Sequence, residues 1–343
     1  MSPLSEHIRS LPKAELHVHL EGAATPAILL ELSRKYDTEY QSASEEKLVE
    51  ELFKYKNFHQ FLATYKIVCR HLREPADYLR LFSELAGYFE SENIRYAEII
   101  YSPSIPWKFE RDGREVLLAL LEQSEKFQSA SGVIVRWILD CVRSFGVEAG
   151  WQTAQLAHEF QERGVVAVGL GGDELSLPLQ EYQEIFRWVK AHQLYLHMHA
   201  GEIGGPEEVW KAVNLGVNRI GHGIQSARDG SLIDYLRDHA LALDICLTSN
   251  ARTGAWPMIS GNPFGLLYRR GVPVTLNSDD TGLFQVGLTK EFVKAIQHFD
   301  LTRDDVHRIL LQGLHSSFLP HDQKMDLMGQ FLRGPPKPGL PPS

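Results

Sequence analysis

Eight short apolar runs, each parted from the next by a longer stretch of helical period, constrain this chain more than any other feature. They span residues 15–20, 96–101, 133–139, 165–170, 194–199, 219–223, 241–247 and 273–277. Runs rich in Val, Ile, Leu and Tyr with little polar alternation suit strands buried on both faces, and a parallel sheet closed into a barrel and ringed by helices buries both. The pattern therefore predicts an α/β protein built as a (β/α)8 barrel. Helix starts agree with it. Thr25 followed by Pro26 fits an N-cap with proline at the first helical position, and Thr302 with Asp305 three residues on reads as a capping box.

Residues 21–95 separate the first two strands, more chain than a plain crossover helix needs. The segment FKYKNFHQFLATY places Phe53, Phe58, Phe61 and Tyr65 at helical spacing, so inserted helices are expected after the first strand. These aromatics either bury one helix face or overhang a pocket. The tail GPPKPGLPPS carries too much Pro and Gly for regular structure, so the expectation is one barrel domain over residues 1–333 and a loose tail over 334–343.

Composition narrows the partner. The chain carries 35 Lys plus Arg against 44 Asp plus Glu, a net charge of −9, which argues against nucleic acid or an anionic membrane and for a small-molecule substrate. The 3 cysteines, Cys69, Cys141 and Cys246, form no CxxC pair, as suits reduced thiols in a cytosol. No signal-peptide pattern opens the chain, and no apolar run approaches the roughly 18 residues of a membrane span. A cytoplasmic location is expected.

Four segments could carry chemistry. His17 and His19 lie two apart at the end of the first strand, so they project to one side and could share an ion. In HMHAGE, His199 ends the fifth strand and Glu202 follows three residues later, a spacing that suits a metal ligand beside an acid or base. His197 shares the strand face with His199, so one or both could bind. His222 stands between Gly221 and Gly223 at the end of the sixth strand, and the NSDD segment puts Asp279 and Asp280 after the eighth. Each segment alone also fits a structural role, a core histidine or a turn. Their shared position at the C-terminal ends of parallel strands, where barrels of this kind build active sites, favours a joint function. LGGDE, residues 170–174, belongs to the same rim; Gly169, Gly171 and Gly172 do not complete GxGxxG and suit close backbone approach to a flat ring. The HExxH, GxxxxGK and GxSxG patterns are absent from the sequence, as is the HxE with PCxxC pattern of the cytidine-deaminase zinc fold.

The chain resembles the adenosine deaminase family of the metal-dependent hydrolase superfamily. KAELHVHLEG, GLGGDE, HAGE, RIGHGI, TSNARTGAW and LNSDD stand in the family's order and spacing, and the likeness runs from about residue 11 to about 332. What it implies is a TIM barrel holding one Zn2+ and hydrolysing the 6-amino group of a purine nucleoside with water. By matched position, His17, His19, His199 and Asp279 would hold the metal. Glu202, His222 and Asp279 would be catalytic: Glu202 as proton donor to ring nitrogen 1, His222 holding and helping to deprotonate the attacking water. His19, Glu21, Gly172 and Asp280 would meet the substrate, Gly172 at nitrogen 3 and Asp280 at nitrogen 7.

Two departures bear on the substrate. Glu21 replaces an aspartate that in adenosine deaminases helps hold the ribose 5′-hydroxyl, and Ile100 replaces an arginine common there. Adenosine or deoxyadenosine is the first expectation. The alternatives are aminodeoxyfutalosine, which relatives with Glu at the first position accept, and free adenine, whose deaminases typically carry an aspartate where this chain has Gly221. A binding protein that keeps the scaffold without turnover is the competing class; every matched catalytic position is filled.

Overall fold

A computed structural model describes residues 2–333 of the chain. Eight parallel strands pair in sequence order: β1 (Lys13–His19), β2 (Ile94–Tyr101), β3 (Ile134–Val142), β4 (Val165–Gly171), β5 (Tyr195–Ala200), β6 (Arg219–His222), β7 (Ala242–Ile245) and β8 (Val274–Leu276). All eight expected strands are present, and helices surround them in a nearly closed (β/α)8 barrel.

The seam between β8 and β1 is closed largely by side chains. At the rim, His19 N donates to Asp279 O at 2.9 Å and Asp279 N donates to His17 O at 3.0 Å. Below it, Leu16 N donates to Asn277 Oδ1 at 2.9 Å, and the Glu15 carboxyl accepts Ser278 N at 3.0 Å and Ser278 Oγ at 2.8 Å. This seam brings the first and last motifs of the chain side by side.

β7 is shorter than its apolar run. The run was expected to extend to residue 247, but Leu247 opens the helix Leu247–Arg252, whose Thr248 N–H donates to Glu291 Oε2 at 3.0 Å. Hydrophobicity continued past the strand because the helix start is buried too, and a short apolar run does not distinguish the two.

The inserted helices after β1 are Pro26–Lys35, Glu45–Leu52, Phe58–His71 and Pro75–Ser91. Both N-caps foreseen in the sequence form: Thr25 accepts from Ile28 N at 3.2 Å, and Thr302 makes its capping box with Asp305. Phe53 and Phe61 are buried, and Phe61 stacks on Phe284 with ring centroids 5.0 Å apart. Phe58, Phe61 and Tyr65 also line the cavity described below, so this face both packs and overhangs.

A buried ionic layer crosses the barrel beneath the rim. Arg219 Nε donates to Asp244 Oδ2 at 2.6 Å, its Nη2 donates to the Glu98 carboxylate and Leu16 O, and its Nη1 donates to Ser316 O. Thr275 Oγ1 donates to Asp244 Oδ1 at 2.8 Å, and Tyr96 donates its hydroxyl to Glu98. The charges are paired and hydrogen-bonded, the condition under which burial is tolerated.

The expected tail over 334–343 lies outside the described residues. Among the described residues no helix is long and apolar enough to cross a membrane.

Candidate active site

Because every strand runs the same way, the four sequence segments converge at one end of the barrel. His17 Nε2 and His19 Nε2 each lie 3.4 Å from Asp279 Oδ1, and His19 Nε2 lies 3.3 Å from His199 Nε2. The ligating atoms of His17, His19 and Asp279 all fall within 4.8 Å of one another, as do those of His17, His199 and His222. His199, not His197, faces His19. His197 turns into the ionic layer, its Nε2 3.1 Å from Asp244 Oδ2.

Electrostatics prepare this cluster for a cation. Burial pushes His19 down to about 3 and His199 well below the usual imidazole range, so both rings are neutral, the form that ligates metal. Burial alone would raise Asp279; the electrostatic pull of the neighbouring His17, then of His222 and His19, outweighs it and holds the carboxyl well below its usual range. Both ring nitrogens of His17 are buried without a hydrogen-bond partner in the protein. Unpaired buried nitrogens are costly, and a metal ion satisfies the one that faces it. Neutral imidazoles around one ionised carboxylate therefore fit a divalent metal. His199 Nδ1 lies 3.2 Å from Leu170 O, an outer contact of the kind that fixes a ligand ring.

Two of these residues hold strained backbone. His222 and Asp279 have φ of 61° and 64°, the left-handed region that side-chain-bearing residues seldom adopt. Asp279 meets the histidines, and the Asp280 carboxyl stays close beside it. Gly221 is needed for a different reason: a Cβ there would lie 2.8 Å from His17 Cε1.

Glu202 sits 3.6 Å from His222 Nε2 through its Oε2. Burial, then the charge of Asp279, pushes it up to about 8, so it keeps its proton at neutral pH and can serve as an acid. Asp280 is raised well above the usual range by burial and then by Asp279. The amide of Asn250 meets His222 Nδ1 at 3.1 Å, leaving Nε2 toward Glu202 and Asp279.

These groups form one part of a cavity of about 390 Å³. Gly172 lines it, but Gly169 and Gly171 do not; they face the carboxyl of Asp140 instead, a correction to the reading of all three as close approach to a ring. Glu21 is fully buried, its oxygens accepting Ser102 N at 3.2 Å and the Tyr65 hydroxyl at 3.4 Å, and burial pushes it up to about 7. Elsewhere the cavity wall is mostly apolar, with Phe58, Phe61, Phe109 and Phe145; the exposed cations Lys66, Arg70 and Lys108 stand among them, against the single acid Asp173 on that part of the lining.

Sequence reasoning passed over Asp140 and the roles of Asn250 and Glu174. For Asp140 the signal was present: a lone acid near the end of the apolar run WILDCV, at the same rim as the four motifs.

The description "Adenosine deaminase" belongs to the family model that matches residues 12–332. The chain belongs to the adenosine deaminase family. It is a hydrolytic deaminase acting on a C–N bond. Among relatives in this family, an aminodeoxyfutalosine deaminase of Streptomyces avermitilis is 34% identical, over 92% of this chain and 89% of its own. An adenosine deaminase of Clostridium kluyveri is 26% identical over 96% of each, and an adenine deaminase of Wolinella succinogenes 27% identical over 97% of this chain and 100% of its own. In fold the family member is similar to an adenine deaminase from Arthrobacter aurescens, with TM-score 0.88, 21% identity and coverage of 94% and 98%. It is likewise similar to a zinc-bound amidohydrolase from Burkholderia ambifaria, with TM-score 0.89, 20% identity and coverage of 97% and 93%.

Proposed function

We propose that this deaminase holds one zinc ion and hydrolyses the 6-amino group of a purine nucleoside whose 5′ position carries an apolar extension ending in an anion, aminodeoxyfutalosine being the named candidate. The observation that carries the chemistry is the buried Glu202 carboxyl, 3.6 Å from His222 Nε2, beside the histidine and aspartate cluster. The size of the substrate is argued from the aromatic wall with Lys66, Arg70 and Lys108 among it. Adenosine, the first expectation from sequence, has no group to meet that wall or those cations; an aromatic carboxylate on the 5′ side has both.

In this reading His17, His19, His199 and Asp279 hold the metal. Zinc bound there supplies Lewis-acid chemistry that makes water nucleophilic near neutral pH. Glu202 gives its proton to ring nitrogen 1, which makes carbon 6 electrophilic. His222, its ring set by Asn250, holds the attacking water and helps remove its proton. Asp280 donates to ring nitrogen 7 and the Gly172 N–H to nitrogen 3. A C–O bond forms at carbon 6, the proton taken from the water passes to the amino group, the C–N bond breaks and ammonia leaves the 6-oxopurine, while the remaining hydroxyl proton restores Glu202.

The deciding experiment measures ammonia release and kcat/KM for adenine, adenosine, 5′-substituted adenosines and aminodeoxyfutalosine, with metal analysis of the same sample. Highest kcat/KM for the anion-ended nucleoside supports the reading; a preference for adenine or for unsubstituted adenosine overturns its substrate.

A further inference from the structure

The third strand carries a carboxyl that the steps above leave unused. Asp140, on β3 near its C-terminal end, is 2% exposed and lines the cavity. Its Oδ1 has no hydrogen-bond partner in the protein. Glu174 at the rim accepts two backbone N–H groups, and Asp244 in the layer beneath accepts Arg219 and Thr275; Asp280, which the reading above gives to ring nitrogen 7, likewise keeps an oxygen without a partner. The Gly171 N–H serves the carboxyl on one side, but a buried Oδ1 left without a partner works against folding, so it points to a partner that arrives later.

The adjoining strand is cut back to seat this carboxyl. A Cβ at Gly169 would lie 2.4 Å from Asp140 Oδ1, and one at Gly171 would lie 2.6 Å from Oδ2. The same Cβ at Gly171 would lie 3.2 Å from His199 Nδ1, which places Asp140 toward the histidine cluster. Burial, and then the charge of Glu21, holds Asp140 well above the usual carboxylate range, so it can donate as well as accept.

We propose that Asp140 is a substrate-binding residue that takes a hydroxyl of the nucleoside's sugar. This rests on the purine-nucleoside reading above. A 6-aminopurine ring offers hydrogen bonds at its amino group and at nitrogens 1, 3 and 7, and Glu202, Gly172, Asp280 and the reacting centre account for these. The sugar hydroxyls are what remains to meet a second buried acid close to Glu21. Asp140 thereby favours nucleoside over free base.

The test compares wild type, Asp140→Ala and Asp140→Asn on the preferred nucleoside, its 2′-deoxy and 3′-deoxy analogues, the 3-deaza analogue and the free base, with zinc content and Tm measured alongside. For wild type, removing the contacted hydroxyl should lower kcat/KM by about 10-fold or more, as expected where a site is built around a substrate hydroxyl. Asp140→Ala should lose a similar factor on the full nucleoside and almost none on that deoxy analogue, with zinc retained. Its Tm should stay near that of wild type, because the unpartnered buried oxygen and the contact with Gly171 are removed together. Asp140→Asn, which still accepts and donates, should recover much of the loss. An equal loss on every compound, a lowered Tm, or a loss that vanishes only on the 3-deaza analogue would overturn the assignment. A wild type that prefers the free base would instead bring down the nucleoside reading itself, a result seen before any variant is made.

Discussion

Both oxygens of Glu174 hold the loop that carries Glu202: Oε1 accepts Glu202 N at 2.9 Å and Oε2 accepts Gly204 N at 2.8 Å. Glu174→Gln offers one oxygen to two donors, so the loop and its acid should lose alignment. A fall in kcat on the order of 10-fold with metal content unchanged is expected, since small misplacements of a catalytic group are costly. The pH dependence has a definite sign. Burial, then the charge of Glu202, pushes Glu174 up to about 7, so its contribution to stability is complete below pH 4.5 and is lost as pH rises through about 7. Glutamine does not titrate. The Tm difference, variant minus wild type, should therefore become more favourable to the variant between pH 5 and 8; a pH-independent difference counts against the account.

Glu202→Gln keeps the shape of the side chain and removes the proton that a neutral buried acid supplies. Loss of 100-fold or more in kcat is expected for a general acid, with metal content retained. A rate within a few-fold of wild type contradicts its role.

Asp279 and Asp280 are adjacent, and the reading above gives them different tasks. Asp279→Ala should lose the metal, and Asp280→Asn should keep it while raising KM and lowering kcat/KM. Elemental analysis of the two purified variants decides the matter, and equal metal loss in both would show the pair to be misassigned.

Lys66, Arg70 and Lys108 are exposed, so each contributes modestly and through a screened field. Replacing all three with Gln should lower kcat/KM for an anion-ended nucleoside several-fold at low salt and leave adenosine nearly unaffected. Raising the ionic strength of wild type should reproduce the effect. Parallel changes on both substrates would remove the cations from recognition.

Arg219 is the central charge of the layer beneath the site, paired with Glu98 and Asp244. Arg219→Leu leaves two buried carboxylates without their cation and should cost about 3–5 kcal/mol of unfolding free energy in denaturant titration. His197, which shares Asp244, has no place among the proposed ligands, so any metal retained by the folded fraction should bind normally.

The sequence by itself determined the local elements. Strand positions followed from apolar runs buried on both faces, helix starts from caps whose donors and acceptors lie within a few residues, and the rim location of His17, His199, His222 and Asp279 from their place at strand ends. Interactions of that range are written in neighbouring residues. Tertiary structure decided the rest. The β8–β1 seam set His17 and His19 against Asp279, residues more distant in the chain than any others in the cluster. Packing turned His197 down to Asp244 and left His199 facing His19. Only the pairing of β3 with β4 placed Gly169 and Gly171 around Asp140, and only the fold of the inserted helix Phe58–His71 carried Lys66 and Arg70 to the cavity. Burial and electrostatic coupling depend on which distant segments meet, and periodicity along one segment carries no record of its neighbours in space.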